Sequence, residues 1–314
     1  MLNHLIKFVV NDCSLQELPF KTVKDERKTL STQWKRKRKW STLDSSIDDC
    51  MLGVKQFQLF NTQILDEVLF VEGVCPTLKY LDIQDCNDLV EVGTLPKALT
   101  KLVLIGCSKL RKIKGLCGLT KLQILNISWC QEVEELPSFE TLVSLEELQV
   151  SECVNLKSIQ GLEQLTKLRK LDVSSCSELE DLPSVECLRS LEVLWACSCV
   201  KLKSIHGLAQ LTQLRELYVF GCSKLEELPA FEHLSLLEEL WASSCAKLKS
   251  IKGLWQLTKL RRLNVTECFD LEVLDGVEYL TSLEELYASE CPRLQWAGVV
   301  ERLSQRLEEG KLGI

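Results

Sequence analysis

The sequence predicts a solenoid: short coils stacked on one another, with a curved parallel β-sheet on the concave side and irregular or 3-10 structure on the convex side. Three observations predict it. One cysteine column recurs as Cys86, Cys107, Cys130, Cys153, Cys176, Cys199, Cys222, Cys245, Cys268 and Cys291, at a constant 23 residues after one shorter first step. Each unit reads L-x-x-L-x-(V/I/L/A)-x-x-C-x-x-L, as in Leu168, Leu171, Val173, Cys176 and Leu179. Beyond the cysteine, apolar residues such as Leu156, Ile159, Leu162 and Leu165 fall three apart, too tight for a strand and suited to turns or 3-10 segments.

A period of this length with that internal pattern is the signature of a leucine-rich repeat. Within a unit, Leu148 and Val150 leave the backbone on one face and Gln149 on the other, which makes a half-buried strand. A single coil cannot bury its leucines; stacked coils share a core, each buried Leu contributing roughly 1.5–3 kcal/mol. Coils of two kinds alternate. One carries I-x-G-L (Ile113–Leu116, Ile159–Leu162, Ile205–Leu208, Ile251–Leu254) and the other Leu-Pro (Leu136–Pro137, Leu182–Pro183, Leu228–Pro229). Proline lacks the N–H that a helix or ladder needs, so the convex side is expected to be irregular. The true period is a pair of coils, since Cys153–Ser198 and Cys199–Ser244 are nearly the same text.

Charge alternates as well. Four residues after each column cysteine stand Arg111, Glu134, Lys157, Glu180, Lys203, Glu226, Lys249 and Glu272. Neighbouring coils should present opposite charges along one rim. Each exposed pair is worth only about 0–1 kcal/mol. The expected effect is on register, because a coil displaced by one unit would set like charges together.

In chain order the sequence divides into three. Residues 1–50 are divergent and carry a basic insertion at 21–49; residues 51–296 form the array, regular from 78; residues 297–314 form a helical cap. The opening apolar run is broken by Lys7 and closed by Asp12, which argues against a secretory signal, and no later run approaches bilayer length. Leu2, Leu5, Val9, Leu15 and Leu18-Pro19 read as a degraded repeat. Residues 21–40 hold nine Lys/Arg against two acids, a net +7; the whole chain is −7, so the remainder carries −14. Within them Lys35, Arg36, Lys37, Arg38 and Lys39 sit between Trp34 and Trp40. Nuclear import or nucleic-acid contact is one reading of this cluster, an exposed insertion the other. Apolar residues alternate through 51–77 (Val54, Phe57, Leu59, Ile64, Leu65, Val68, Phe70), giving irregular early coils. Val299, Val300, Leu303 and Leu307 have helical spacing and should close the core.

Little in the sequence speaks for catalysis or metal binding. Ten of the sixteen cysteines share one inward-facing column, where a small, readily buried thiol suits the turn at the strand's end. A column spread along a solenoid does not converge on a metal. His206 fills a slot taken elsewhere by Lys114, Gln160 and Lys252, and His233 falls on a convex turn, so both should face solvent. No G-x-x-x-x-G-K-[ST], G-x-S-x-G or H-E-x-x-H motif occurs. The chain is read as a non-enzyme without cofactor or metal. Its acidic balance disfavours nucleic acid on the array, because phosphate would be repelled.

The concave face carries the functional signal. The position between the strand's Leu and Val runs Asp82, Val103, Asn126, Gln149, Asp172, Trp195, Tyr218, Trp241, Asn264, Tyr287. Trp195, Tyr218 and Trp241 fall on consecutive strands, and Phe220 follows Tyr218 on the same face. An exposed aromatic patch of this kind suits a protein-binding hot spot; rings that stack only on one another along the sheet are the alternative. Its rim is acidic, with Glu147, Glu216, Glu239, Glu285 and Glu290, Arg262 being the exception.

Segments such as LEELQVSECVNLKSIQGLEQLTKLRKLDVSSCSELEDLPS and LRELYVFGCSKLEELPAFEHL resemble the leucine-rich-repeat region of plant nucleotide-binding leucine-rich-repeat disease resistance proteins. The resemblance covers about residues 78–296. It implies an intracellular array that recognises a pathogen effector or a guarded host protein, or restrains a nucleotide-binding signalling domain. The signalling parts of that family have no counterpart in the sequence, so a fragment, a truncated paralogue and a stand-alone repeat protein all remain open. A general scaffold or inhibitor of protein assembly is the alternative function. The expected location is cytoplasmic, and nuclear too if Lys35–Lys39 directs import.

Overall fold

Alternation of apolar and polar side chains sets most strands of the array, and the 23-residue offset stacks the three-residue strands in register. The computed structural model describes residues 7–11, 55–61, 67–68, 75–296, 299–304, 307 and 311–313. Among them, thirteen parallel strands form one sheet in sequence order. The first four are Lys7–Asn11, Gln56–Phe60, Tyr80–Gln84 and Lys101–Ile105. Eight three-residue strands follow: Ile124–Asn126, Glu147–Gln149, Lys170–Asp172, Val193–Trp195, Glu216–Tyr218, Glu239–Trp241, Arg262–Asn264 and Glu285–Tyr287. Leu312–Gly313 closes the edge. The middle residue of each three-residue strand, Leu148, Leu171, Leu194 and their equivalents, is fully buried, and its two neighbours are partly exposed except at the buried Val193.

Away from this sheet the coils run through turns, single 3-10 turns and two-residue strands, which pair as Glu67–Val68, Glu91–Val92 and Lys112–Ile113 and as Ser250–Ile251 and Val273–Leu274. The 3-10 segments Lys114–Leu116, Leu162–Gln164, Leu208–Gln210, Leu254–Gln256 and Val277–Tyr279 belong to the coils with a glycine after the apolar pair. Gly207 shows why the glycine is needed: its φ is 84°, and a Cβ there would stand 2.5 Å from the Glu186 backbone nitrogen of the preceding Leu-Pro coil. The two coil types therefore dock as a pair, sealed where the Val185 N–H donates to the His206 carbonyl at 2.9 Å.

The cysteine column lies in the core. Each thiol from Cys130 onward donates to a carbonyl of the preceding coil: Cys153 to Ile127 at 3.1 Å, Cys222 to Ala196 at 2.9 Å, Cys268 to Ala242 at 3.0 Å. Burial pushes the thiols of Cys153, Cys245 and Cys268 up to about 12. The residue just before every column cysteine is left-handed, from Asp85 to Glu290, with φ between 54° and 75°. Its N–H in turn reaches the next coil, as Ser198 to the Phe220 carbonyl at 2.7 Å. Strand, left-handed corner and cysteine thus form one repeated bonding unit.

Both ends depart from the regular period. Lys7–Asn11 pairs residue by residue with Gln56–Phe60, an offset of 49 between Lys7 and Gln56. The basic cluster Lys35–Lys39 lies outside the described residues. At the other end the helix is Val299–Ser304, with Leu303 and Leu307 in the core. The carboxy-terminal segment is more than the expected helical cap: Leu312 and Gly313 pair with Leu286 and Tyr287 as one further strand. A sheet edge with unpaired N–H and C=O groups recruits such a segment whatever its own propensity. Among the described residues, no helix is long and apolar enough to cross a membrane.

Candidate protein-binding site

Because adjacent strands pair without slippage, the outward residue of each three-residue strand falls into one straight column. Cα partners run Asp172 to Trp195, Trp195 to Tyr218, Tyr218 to Trp241, Trp241 to Asn264 and Asn264 to Tyr287. Three aromatic residues at strand spacing must then meet ring to ring. Trp195 and Tyr218 stack with centroids 6.3 Å apart and planes inclined by 25°. Tyr218 and Trp241 do the same at 6.3 Å and 15°. The rings are half-buried rather than openly exposed, because each covers part of its neighbour. Phe220, two residues beyond Tyr218, is 41 % exposed and supplies the open apolar surface beside the stack.

Glu239 fixes the stack. One of its oxygens, Oε2, accepts the Tyr218 hydroxyl at 2.8 Å and the Trp241 indole N–H at 3.1 Å. Its Oε1 accepts from Arg262 at 2.6 Å. Partial burial works against the charge, but the bonds from Tyr218 and Trp241 and the Arg262 guanidinium together hold the carboxyl below its usual range. Tyr218 is displaced the opposite way. Burial, the bond to Glu239 and the nearby Glu216 all raise its hydroxyl, so it stays a donor.

Arg262 also approaches Glu285 at 3.5 Å, and Lys170 pairs with Glu147 at 3.0 Å. Arg262 is therefore not the sole cation of the strip, as the sequence suggested; Lys170 is a second. Tyr287 stands apart from the three-ring stack, with Asn264 between it and Trp241. A depression of 420 Å³ opens there, lined by Trp241, Ser244, Asn264, Glu267, Glu285 and Tyr287. Glu290 occupies the left-handed corner after this strand.

The charged rim is partly as expected. Lys157 meets Glu134 at 2.7 Å and Lys203 meets Glu180 at 3.0 Å. Arg111, however, turns to Glu132 at 2.6 Å instead of Glu134, because a second acid lies within its longer reach. A further alternating column escaped the sequence reading: Glu146, Arg169, Glu192, Arg215, Glu238, Arg261 and Glu284, again 23 apart. Arg169 with Glu192, Arg215 with Glu238 and Arg261 with Glu284 close at 2.8, 2.7 and 2.9 Å. Its signal was present in the position before each strand. Other open rings were also missed, Trp129 at 52 % and Tyr279 at 61 % exposure, the latter convex. At the other end of the column Asp82 is buried, accepting from Tyr80, Gln84 and Gln58 at 2.7, 2.8 and 3.0 Å.

His206 and His233 are exposed on the convex side, and among the described residues no three His, Cys, Asp or Glu side chains converge as a metal site.

The pattern of the BspA type leucine-rich repeat region matches six copies, within residues 97–226, 151–272 and 197–295. A disease resistance protein of Arabidopsis thaliana, RPP2A, is 29 % identical over 101 residues, which is 31 % of this chain and 8 % of that protein. Among solved structures, YopM, a leucine-rich effector protein from Yersinia pestis, superposes with a TM-score of 0.54 at 19 % identity, covering 83 % of this chain and 69 % of that one. The leucine-rich repeat domain of the type III effector XopL gives 0.47 at 18 % identity, over 86 % and 82 % of the two chains. A scaffold of this fold is typically a binding surface rather than an enzyme. With the matched repeats spanning well over half of its length, the chain belongs to the leucine-rich repeat proteins of the BspA type.

Proposed function

We propose that this chain is a recognition module that binds another protein through the concave strip of Trp195, Tyr218, Phe220, Trp241 and Tyr287, with Glu216, Glu239, Arg262 and Glu285 as its polar frame. The observation that carries the reading is the Glu239 carboxylate, which ties two stacked rings and one cation into a rigid unit before any partner arrives. Rigid aromatic side chains lose little entropy on binding, which is why such groups dominate interface energetics. Retention of a partner by the full chain should be abolished by Trp195→Ala with Trp241→Ala. Undiminished retention by that variant, still folded, would leave the rings a purely structural stack.

The finer reading is a recognition array of the plant disease-resistance type, facing a pathogen effector, a guarded host protein or a nucleotide-binding signalling domain. It rests on the repeat text and on the partial match to RPP2A. An upstream coding sequence with a phosphate-loop domain would support it; neighbouring genes of unrelated assembly functions would favour a general scaffold. This reading puts the protein in the cytoplasm. Imaging the chain without residues 21–49 tests whether Lys35, Arg36, Lys37, Arg38 and Lys39 add nuclear import.

A further inference from the structure

The aromatic column has one gap, and the gap has the shape and charge of a binding slot. Asn264 is the single short side chain between Trp241 and Tyr287 on adjoining strands. Two strand steps separate the flanking residues by about 9.6 Å at the backbone. A flat group held at van der Waals distance from both faces needs about 7–8 Å between the planes. One planar group fits, and the acids at the mouth favour a cation.

Both walls are held from behind. Trp241 is backed by the Tyr218 ring and tethered through its N–H to Glu239. Tyr287 is backed by Gly313 of the last strand, where even a Cβ would come within 3.0 Å of the ring. The floor is Asn264, whose Oδ1 already accepts the Thr266 N–H at 3.0 Å. At the mouth stand Glu267 and Glu285. Glu267 accepts the Ser244 hydroxyl at 2.7 Å, and Glu285 lies 3.5 Å from Arg262. Arg262 is engaged more closely by Glu239, at 2.6 Å, so these four charged groups leave the slot at net −2.

We propose that this slot takes the guanidinium of an arginine presented by the bound polypeptide. This deepens the protein-binding reading and rests on it. Two ring faces attract a cation through their quadrupoles, and a guanidinium presents paired N–H groups to a carboxylate at the same time. The strip as a whole therefore selects a partner segment with an arginine beside apolar residues, the arginine in the slot and the apolar residues on Phe220 and the stack. A neutral or acidic segment would leave the net negative charge at the mouth unmet.

The probe is acetyl-Leu-Arg-Leu-amide titrated into the full chain at low salt, followed by tryptophan fluorescence, against the same peptide with citrulline, which keeps the shape and removes the charge. Saturable binding at least tenfold weaker for citrulline is expected. Asn264→Phe, which fills the slot with a residue type its neighbours already carry, should abolish it. Glu285→Gln should weaken it severalfold, and Trp129→Ala, an exposed ring at the distant corner before Cys130, should leave it unchanged. Equal binding of the two peptides, absence of binding, or wild-type affinity in Glu285→Gln would overturn the proposal. Glu285→Gln decides the matter should Asn264→Phe fail to fold. If the slot fails while Trp195→Ala with Trp241→Ala still abolishes partner retention, the slot is discarded and the protein-binding strip stands.

Discussion

The Tyr218 hydroxyl donates to Glu239 across the strand boundary at 2.8 Å, and that bond joins the aromatic column to the charged column beside it. Glu239 also accepts from Trp241 and Arg262, so it is the point through which three coils are coupled.

Glu239→Gln keeps the shape but loses the charge that Arg262 and the two donors address. Charge-assisted bonds are worth about 1.5–3 kcal/mol, and with part of the carboxylate in water about 1–2 kcal/mol should be lost. Because folding holds this carboxyl below its usual range, its contribution is fully present above the ordinary glutamate range. It disappears as pH falls through the folded value. Urea melts of wild type and variant should differ at pH 7 and draw together as pH falls below the ordinary glutamate range.

Gly207→Ala should destabilise by about 2 kcal/mol or more, since a left-handed alanine costs about 1–2 kcal/mol and the Glu186 backbone must also shift. Gly118, also left-handed but with nothing within 4 Å of its Cβ position, supplies the control. Gly118→Ala should show the conformational cost alone, and equal melting shifts for the two would refute the close approach between coils.

The column thiols should resist alkylation while the coils are intact. Cys117 and Cys187 are exposed; Cys153, Cys245 and Cys268 are buried with thiols raised to about 12. Mass spectrometry after brief iodoacetamide treatment at pH 8 should find Cys117 and Cys187 modified first. Equal labelling of Cys245 would mean that the coils open freely.

The two alternating charge columns are predicted to act on register more than on stability. Glu180→Lys with Glu226→Lys places like charges on five successive coils from Lys157 to Lys249 and should broaden thermal unfolding at low salt, an effect that salt removes. A melt of unchanged width would leave the column without that role. In a double-mutant cycle, Arg169 and Glu192 alone should couple by less than about 1 kcal/mol.

How much of this was legible in the sequence depends on whether a feature repeats. The cysteine column, the leucine ladder and the ring column are periodic, and a fixed period places each residue on a face without knowledge of the fold. The hub at Glu239 was named only as a rim acid, because its bonds depend on rotamers that no spacing reveals. The edge strand Leu312–Gly313 was invisible, since two residues carry no pattern and the pairing is imposed by the open edge of Glu285–Tyr287. The left-handed corners were hidden for another reason. Glycine fills only Gly106 and Gly221 among the ten corners, and Ser, Glu, Asp and Trp fill the rest, so residue type gave no warning.

The docking of unlike coils, glycine against Leu-Pro, has a consequence for how such a molecule changes size. Within the alternating coils, removing 23 residues would join two of one kind and bring like signs together on both flanks, whereas removing 46 keeps unlike coils adjacent and the signs alternating. Change of length by whole doublets therefore keeps glycine against Leu-Pro throughout the alternating stretch from Cys107 to Gly253.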